Sequence, residues 1–135
     1  MDFVLELKGI TKRFGSLTAN DKISLSVRKG TVHAVIGENG AGKSTLMNVI
    51  SGLYRPYEGE LFVHGKKMDF RDPNHASRAG IGMVHQEFML FPELSVLDNI
   101  MMGYETRRWG IFLNRDKARR RVEAICEEYH FNIPL

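Results

Sequence analysis

Cysteine is nearly missing from this chain, with Cys126 the only one among 135 residues. That excludes an internal disulfide framework and any cysteine-rich metal site, and it fits a reducing compartment. Proline is also scarce, at 4 residues, and 13 glycines are too few for a collagen-like or linker composition. No run approaches the roughly 18 to 20 apolar residues of a membrane-spanning helix. The opening residues Met1 to Glu6 carry no basic leader before an apolar core, so a cytosolic or peripheral chain is expected. Charge of one sign is not in large excess either. The 19 basic and 16 acidic side chains leave a net +3, too little for a nucleic-acid surface unless clustered. The one cluster, Arg119 to Arg121, reads as the solvated face of a helix, and no nucleic-acid partner is expected. The five histidines have no metal-site spacing.

What is present suits one ordinary folded domain. A chain of this length buries roughly two-thirds of its unfolded surface, and 43% hydrophobic with 26% charged residues excludes disorder as the main state. Phe3, Leu5 and Leu7 alternate with Val4, Glu6 and Lys8, which predicts a first strand ending at Gly9-Ile10. Thr11 to Asn20 reads as polar loop. Ile23 to Val27 alternates strictly and Arg28-Lys29-Gly30 turns, predicting an antiparallel pair with the strand that follows. That following run, Thr31 to Ile36, is apolar and β-branched without alternation, the pattern of a strand buried on both faces of a parallel sheet.

Lys43 to Ser51 has helical spacing with Gly52 at its cap. Turns at 55–59 and 64–67 flank a short strand from Glu60 to Val63 and make an exposed hairpin. Asp72 and Pro73 start a short helix through Ala79, and Ile81 to His85 returns as a buried strand. Ser95 and Asp98 have capping-box spacing and open a helix through Met101 or Met102. Asn114 caps a longer one, with Ala118, Val122, Ile125 and Tyr129 on one apolar stripe and Cys126 within it. There is no internal repeat and no low-complexity segment.

The segment Gly37-Glu38-Asn39-Gly40-Ala41-Gly42-Lys43-Ser44 matches G-x-x-x-x-G-K-[S/T] in full, between an expected strand and an expected helix. Glycines let the backbone curl so that successive N–H groups face one point, and the helix presents its own unpaired donors to the same anion. A polyphosphate fits such a cup and a neutral ligand gains little from it. Lys43 supplies a full charge for the β and γ phosphates, the Ser44 hydroxyl is an oxygen ligand for Mg²⁺, and Thr45 reaches the α phosphate.

A phosphate loop alone does not choose among kinases, GTPases and transport ATPases. Its neighbours resemble the ATP-binding cassette of ABC transporters. The markers are Thr11-Lys12-Arg13-Phe14-Gly15, GENGAGKSTLMNVISGLY at the loop, the PYEGE turn and GMVHQEFMLFPELSVLDNI, in family order from about Val4 to Ile100. The resemblance implies an α/β P-loop NTPase nucleotide-binding domain, truncated, with an antiparallel β subdomain and the start of a helical subdomain. It implies that residues 1–86 form the nucleotide-binding core and β subdomain, and residues 87–135 the continuation after Gln86. It implies that Phe14 stacks on adenine, as an aromatic face can, and that Gln86 touches the metal and the attacking water. Glu87 to Asp98, rich in Phe, Met and Leu, would then join the groove for a membrane subunit or cover only its own domain.

The stretch around VHQEFMLFPELSVLDNI, with Met101 to Glu105, is most similar to importers of simple sugars or nucleosides, whose ATPase chains often hold two cassettes. ATP and Mg²⁺ are the implied cofactors. The implied partners are membrane-spanning permease subunits and a second cassette, in the same chain or in a homodimer, at the cytoplasmic face of the membrane. No LSGGQ-like signature, no apolar strand ending in Asp-Glu and no assignable switch histidine occurs among the 135 residues. The expectation is therefore an N-terminal piece of the first cassette of an import ATPase, binding nucleotide without turnover and prone to self-association where sheet partners are missing. The alternatives are another P-loop enzyme, such as a small-molecule kinase, or a non-catalytic docking module.

Overall fold

The computed structural model describes residues 2–86, 90–102, 107–108 and 112–134. They fall into two compact units, Met1–Val84 and His85–Leu135.

In the first unit, β1 (Phe3–Phe14) and β2 (Leu17–Arg28) form a long antiparallel hairpin, α1 spans Lys43–Ile50, and β3 (Glu58–Val63) and β4 (Lys66–Met68) add a second hairpin. The sheet is antiparallel in the order β2-β1-β3-β4. A short helix α2 (Pro73–Arg78) follows, entered at Asp72, whose carboxylate accepts from the His75 N–H at 2.8 Å. Alternation accounts for Leu7 on the inner face, but Ile10, three residues on, would point outward in a regular strand. A register shift between them, with Gly9 at φ +61°, brings both inside, where Leu7 and Ile10 are essentially inaccessible. Gly59 crosses directly over this bulge. A Cβ there would lie 2.5 Å from the Gly9 carbonyl oxygen, so only glycine permits the crossing. The face so formed packs Leu7, Ile10, Leu61 and Val63 against Leu46, Val49 and Ile50 of α1, with Phe70 and Ala76 closing the core.

Three expectations are corrected here. Thr11 to Asn20 is not loop, because β1 runs on to Phe14 and β2 begins at Leu17 across a two-residue turn with Gly15 at φ +58°. The polar side chains of this stretch, most of them exposed but with Thr11 and Asn20 buried, mimic a loop in composition, while the two strands still pair. Consequently β2 pairs with β1 and not with the run after it. Thr31 to Ile36 and Ile81 to His85 are not strands in this structure, and Val32, Ile36 and Val84 are 99%, 92% and 85% exposed. A strand is defined by its neighbours' donors and acceptors, and among the described residues no strand lies beside either run.

In the second unit α3 spans Val96–Met101, a two-stranded pair joins β5 (Arg107–Arg108) and β6 (Phe112–Leu113), and α4 spans Arg115–Glu128. Both helices start on the expected caps: Ser95 Oγ accepts from the Asp98 N–H at 3.1 Å, and Asn114 Oδ1 from the Lys117 N–H at 3.0 Å. The apolar stripe of α4 is buried only at Ala118 and Val122, against Leu97 and Met101 with Cys126 beside them, while Ile125 and Tyr129 are largely exposed. Arg119, Arg120 and Arg121 are exposed, as expected.

Burial of the larger side chains in this small cluster contributes about 1.5 to 3 kcal/mol each, which offsets the ordering of only a few residues at about 1 to 2 kcal/mol each. Polar links therefore matter more here than in the first unit. Asp98 accepts from the Ser95 hydroxyl at 2.7 Å, and the Arg115 guanidinium reaches its two carboxylate oxygens at 2.9 and 3.1 Å, joining α3 to α4. The Ser95 hydroxyl first, and then Arg115, hold the Asp98 carboxyl below the usual aspartate range. A lowered folded-state pKa stabilises above the unfolded value and is lost as pH falls through the folded one. Asp98→Asn is accordingly expected to lower the thermal midpoint at neutral pH. Circular dichroism melts taken down to about pH 2 should show that gap close from the wild-type side, and a gap independent of pH would contradict the assignment.

Candidate functional site

The loop from Gly37 to Gly42 curls around the side chain that follows it. Ala41 N–H donates to the Glu38 carbonyl at 3.2 Å, closing a turn with Gly40 at φ +84°, where a side chain would be strained. Lys43 folds back over this turn, and its Nζ donates to the carbonyl oxygens of Gly37 and Glu38, each at 2.6 Å. The ammonium group thus lies inside the bend, where the sequence pattern places it.

Gly42 then turns the chain into α1. It is left-handed, at φ 86° and ψ 6°, and carries no side chain to cap the helix. Its carbonyl accepts the Leu46 N–H at 2.9 Å, which opens the helical ladder. The N–H groups of Lys43, Ser44 and Thr45 therefore have no intrahelical acceptor, and they share one end of α1 with the Lys43 ammonium. No acidic side chain occupies the first turn of α1. Unpaired donors, the positive end of the helix and one cation make this corner suited to an anion with several oxygens. Ser44 is exposed and Thr45 half-buried at the same helix start.

The loop rests on β2. A Cβ on Gly42 would lie 2.2 Å from the Ala19 carbonyl oxygen, and the Asn20 side-chain amide donates to the Gly42 carbonyl at 3.1 Å. Asn20 carried no signal in the sequence, since its strand reads as loop and an isolated Asn in a polar run is unremarkable.

Phe14 ends β1 beside the tight turn and is 43% exposed, not packed beneath the sheet. Tyr54 meets its ring edge-on, with centroids 5.3 Å apart and planes at 78°. The Lys12 ammonium stands 5.1 Å from the Phe14 ring centre and 5.4 Å from that of Tyr54, tethered by a 2.8 Å bond to the Arg55 carbonyl. Sequence reading found Phe14 but not its two neighbours, which reach it from another strand position and from the turn after α1. Gln86 is exposed and belongs to the second unit. Of the apolar run after it, Glu87, Phe88 and Met89 lie outside the described residues; Leu90, Phe91, Leu94 and Val96 are exposed, and Leu97 is buried. The Asn99 side chain ties part of this run together, donating to the carbonyls of Phe91, Leu94 and Ser95 and accepting from the Phe91 N–H.

Comparison with known proteins extends beyond the loop. The family model described as ABC transporter matches residues 20–133. The chain is 47% identical over 133 residues to the guanosine import ATP-binding protein NupO of Bacillus subtilis, covering 98% of this chain and 26% of that protein. It is 41% identical over 130 residues to a galactose/methyl galactoside import ATP-binding protein, MglA, of Clostridium perfringens, covering 96% of this chain and 25% of that one. Among solved structures it resembles a nucleotide-free ATP-binding cassette from an ABC transporter, with TM-score 0.78 and 30% identity over 96% of this chain and 55% of that one. The chain thus spans about a quarter of these curated relatives and just over half of the solved cassette. The match to the family model runs from within β2 through the loop and the second hairpin into the second unit, far beyond the loop at 37–44. By its sequence and its fold, this chain belongs to the ABC transporter family of ATP-binding cassettes.

Proposed function

We propose that these residues are the nucleotide-binding part of a cassette of an import ATPase that drives uptake of a nucleoside or simple sugar. The observation that carries this reading is the Lys43 ammonium folded into the turn at Gly37 and Glu38, at the open end of α1. In this reading ATP phosphates replace the two carbonyl oxygens as acceptors for Lys43, and the amides of Lys43, Ser44 and Thr45 bind the same oxygens. The relatives' roles in guanosine and galactose import support the solute class. The partners would be membrane-spanning permease subunits and a second cassette, with the chain peripheral at the cytoplasmic face. Among the described residues no helix is long and apolar enough to cross a membrane.

Mg²⁺ fits the donor set. It favours hard oxygen ligands, few of them from protein, with water and phosphates completing the shell, and Ser44 offers one exposed hydroxyl beside the loop. When bound, the ion would neutralise charge on the transferred phosphoryl group. Lys43 would hold the β and γ oxygens, Phe14 would offer a ring face to adenine, and Gln86 would orient the attacking water. The signature and the Asp-Glu strand that catalysis in this family requires do not occur among the 135 residues, so these residues alone should bind nucleotide and release no phosphate above background.

Calorimetric titration of the 135-residue chain with ATP and Mg²⁺ tests the reading. Saturable binding is expected, weakened at least about tenfold by Lys43→Ala, about 1.4 kcal/mol. Absence of binding, or equal binding by the variant, would overturn it. Phe14→Ala is expected to weaken ATP by about two- to tenfold, the range of an aromatic stacking contact, while leaving inorganic triphosphate binding unchanged; equal ATP affinity in the variant would remove Phe14 from the site.

A further inference from the structure

Asn20 is a polar side chain in an unusual position. It lies on β2, only 5% exposed, and its Oδ1 has no hydrogen-bond partner among the described residues. Its one side-chain bond is from Nδ2 to the Gly42 carbonyl, at 3.1 Å. A buried acceptor left without a donor costs stability, and an apolar side chain of similar volume would not bear that cost. Residues that are unfavourable for folding and make a single bond to a ligand loop point to a role in that loop.

The bond falls on a lever. The Gly42 carbonyl and the Lys43 N–H belong to one planar trans peptide and point in opposite directions. The carbonyl is held from two sides, by Asn20 Nδ2 and by the Leu46 N–H at 2.9 Å. Holding it fixes the peptide plane and with it the Lys43 N–H, which points opposite to the carbonyl. The left-handed Gly42, whose absent Cβ would collide with the Ala19 carbonyl and the Asn20 amide, lets the peptide sit close enough for the bond to form.

We propose that Asn20 is a positioning residue for the phosphate loop, fixing the Gly42–Lys43 peptide so that its N–H meets a phosphate oxygen of the bound nucleotide. This deepens the nucleotide reading and rests on it. Asn20 touches no phosphate itself; it acts through the peptide plane. Because its amide is half-satisfied, loss of the side chain separates binding from stability.

The experiment compares wild type, Asn20→Leu and Lys43→Ala in the 135-residue chain, by calorimetry with ATP and Mg²⁺ and by thermal unfolding without nucleotide. Asn20→Leu is expected to bind about three- to tenfold more weakly, the scale of one hydrogen bond, with a thermal midpoint equal to or above that of wild type. Unchanged affinity would overturn the proposal, and so would affinity and midpoint falling together, the mark of a merely structural residue. Should Asn20→Leu fail to fold, Asn20→Ala, which removes the donor without adding a charge beside the loop, decides the matter: weaker binding per folded molecule supports the proposal and wild-type affinity overturns it. If wild type binds no nucleotide, or Lys43→Ala binds as well as wild type, it is the nucleotide reading that fails.

Discussion

The contact between Gly42 and β2 is the constraint on which the rest of the site depends. A backbone that must turn left-handed, lie against the Ala19 carbonyl and start a helix in the same residue has room for no Cβ. That one geometry starts α1 with its first amides free of intrahelical acceptors and sets Lys43 to fold back on the carbonyls of Gly37 and Glu38. Beneath it, the core of Leu46, Val49 and Ile50 against Leu7, Ile10 and Leu61 anchors α1 to the sheet. The loop is therefore positioned from two sides, by apolar packing under the helix and by polar contact at its start. Preorganisation of this kind matters because donors already aimed at an anion need not reorganise to receive it.

Local elements were more legible in the sequence than the sheet. α1 and the caps at Asp72, Ser95 and Asn114 are local, each determined by a few residues with a direct physical reason, and each appears where expected. The strands depend on partners far along the chain. The far ends of β1 and β2 carry polar side chains, most of them exposed though Thr11 and Asn20 are buried, so composition there resembles a loop. Ile10 became a core residue only through a bulge at Gly9, which alternation cannot foresee. The apolar runs 31–36 and 81–85 have the composition of buried strands but no neighbouring strand among the described residues, so pattern and pairing part company there. Asn20 was invisible for a related reason, since its meaning lies in a bond across 22 positions.

Membership of the ABC transporter family gives these local features a common purpose without transferring every residue's role. The first unit holds the phosphate loop, Asn20 and the Phe14–Tyr54–Lys12 group together within one fold. Gln86 and the run clasped by Asn99 belong to the second unit, which has a smaller apolar core and leans on the Asp98–Arg115 link.

The central claim is that backbone amides around the Gly42–Lys43 peptide receive the phosphates. The most direct measurement is an amide proton–nitrogen NMR titration of the chain with ATP and Mg²⁺. The account predicts saturable shifts that are largest at Gly40, Gly42, Lys43, Ser44 and Thr45, with the surroundings of Leu61 and Val63 nearly still. Shifts confined to other parts of the chain, or none at these five amides while nucleotide binds, would contradict it.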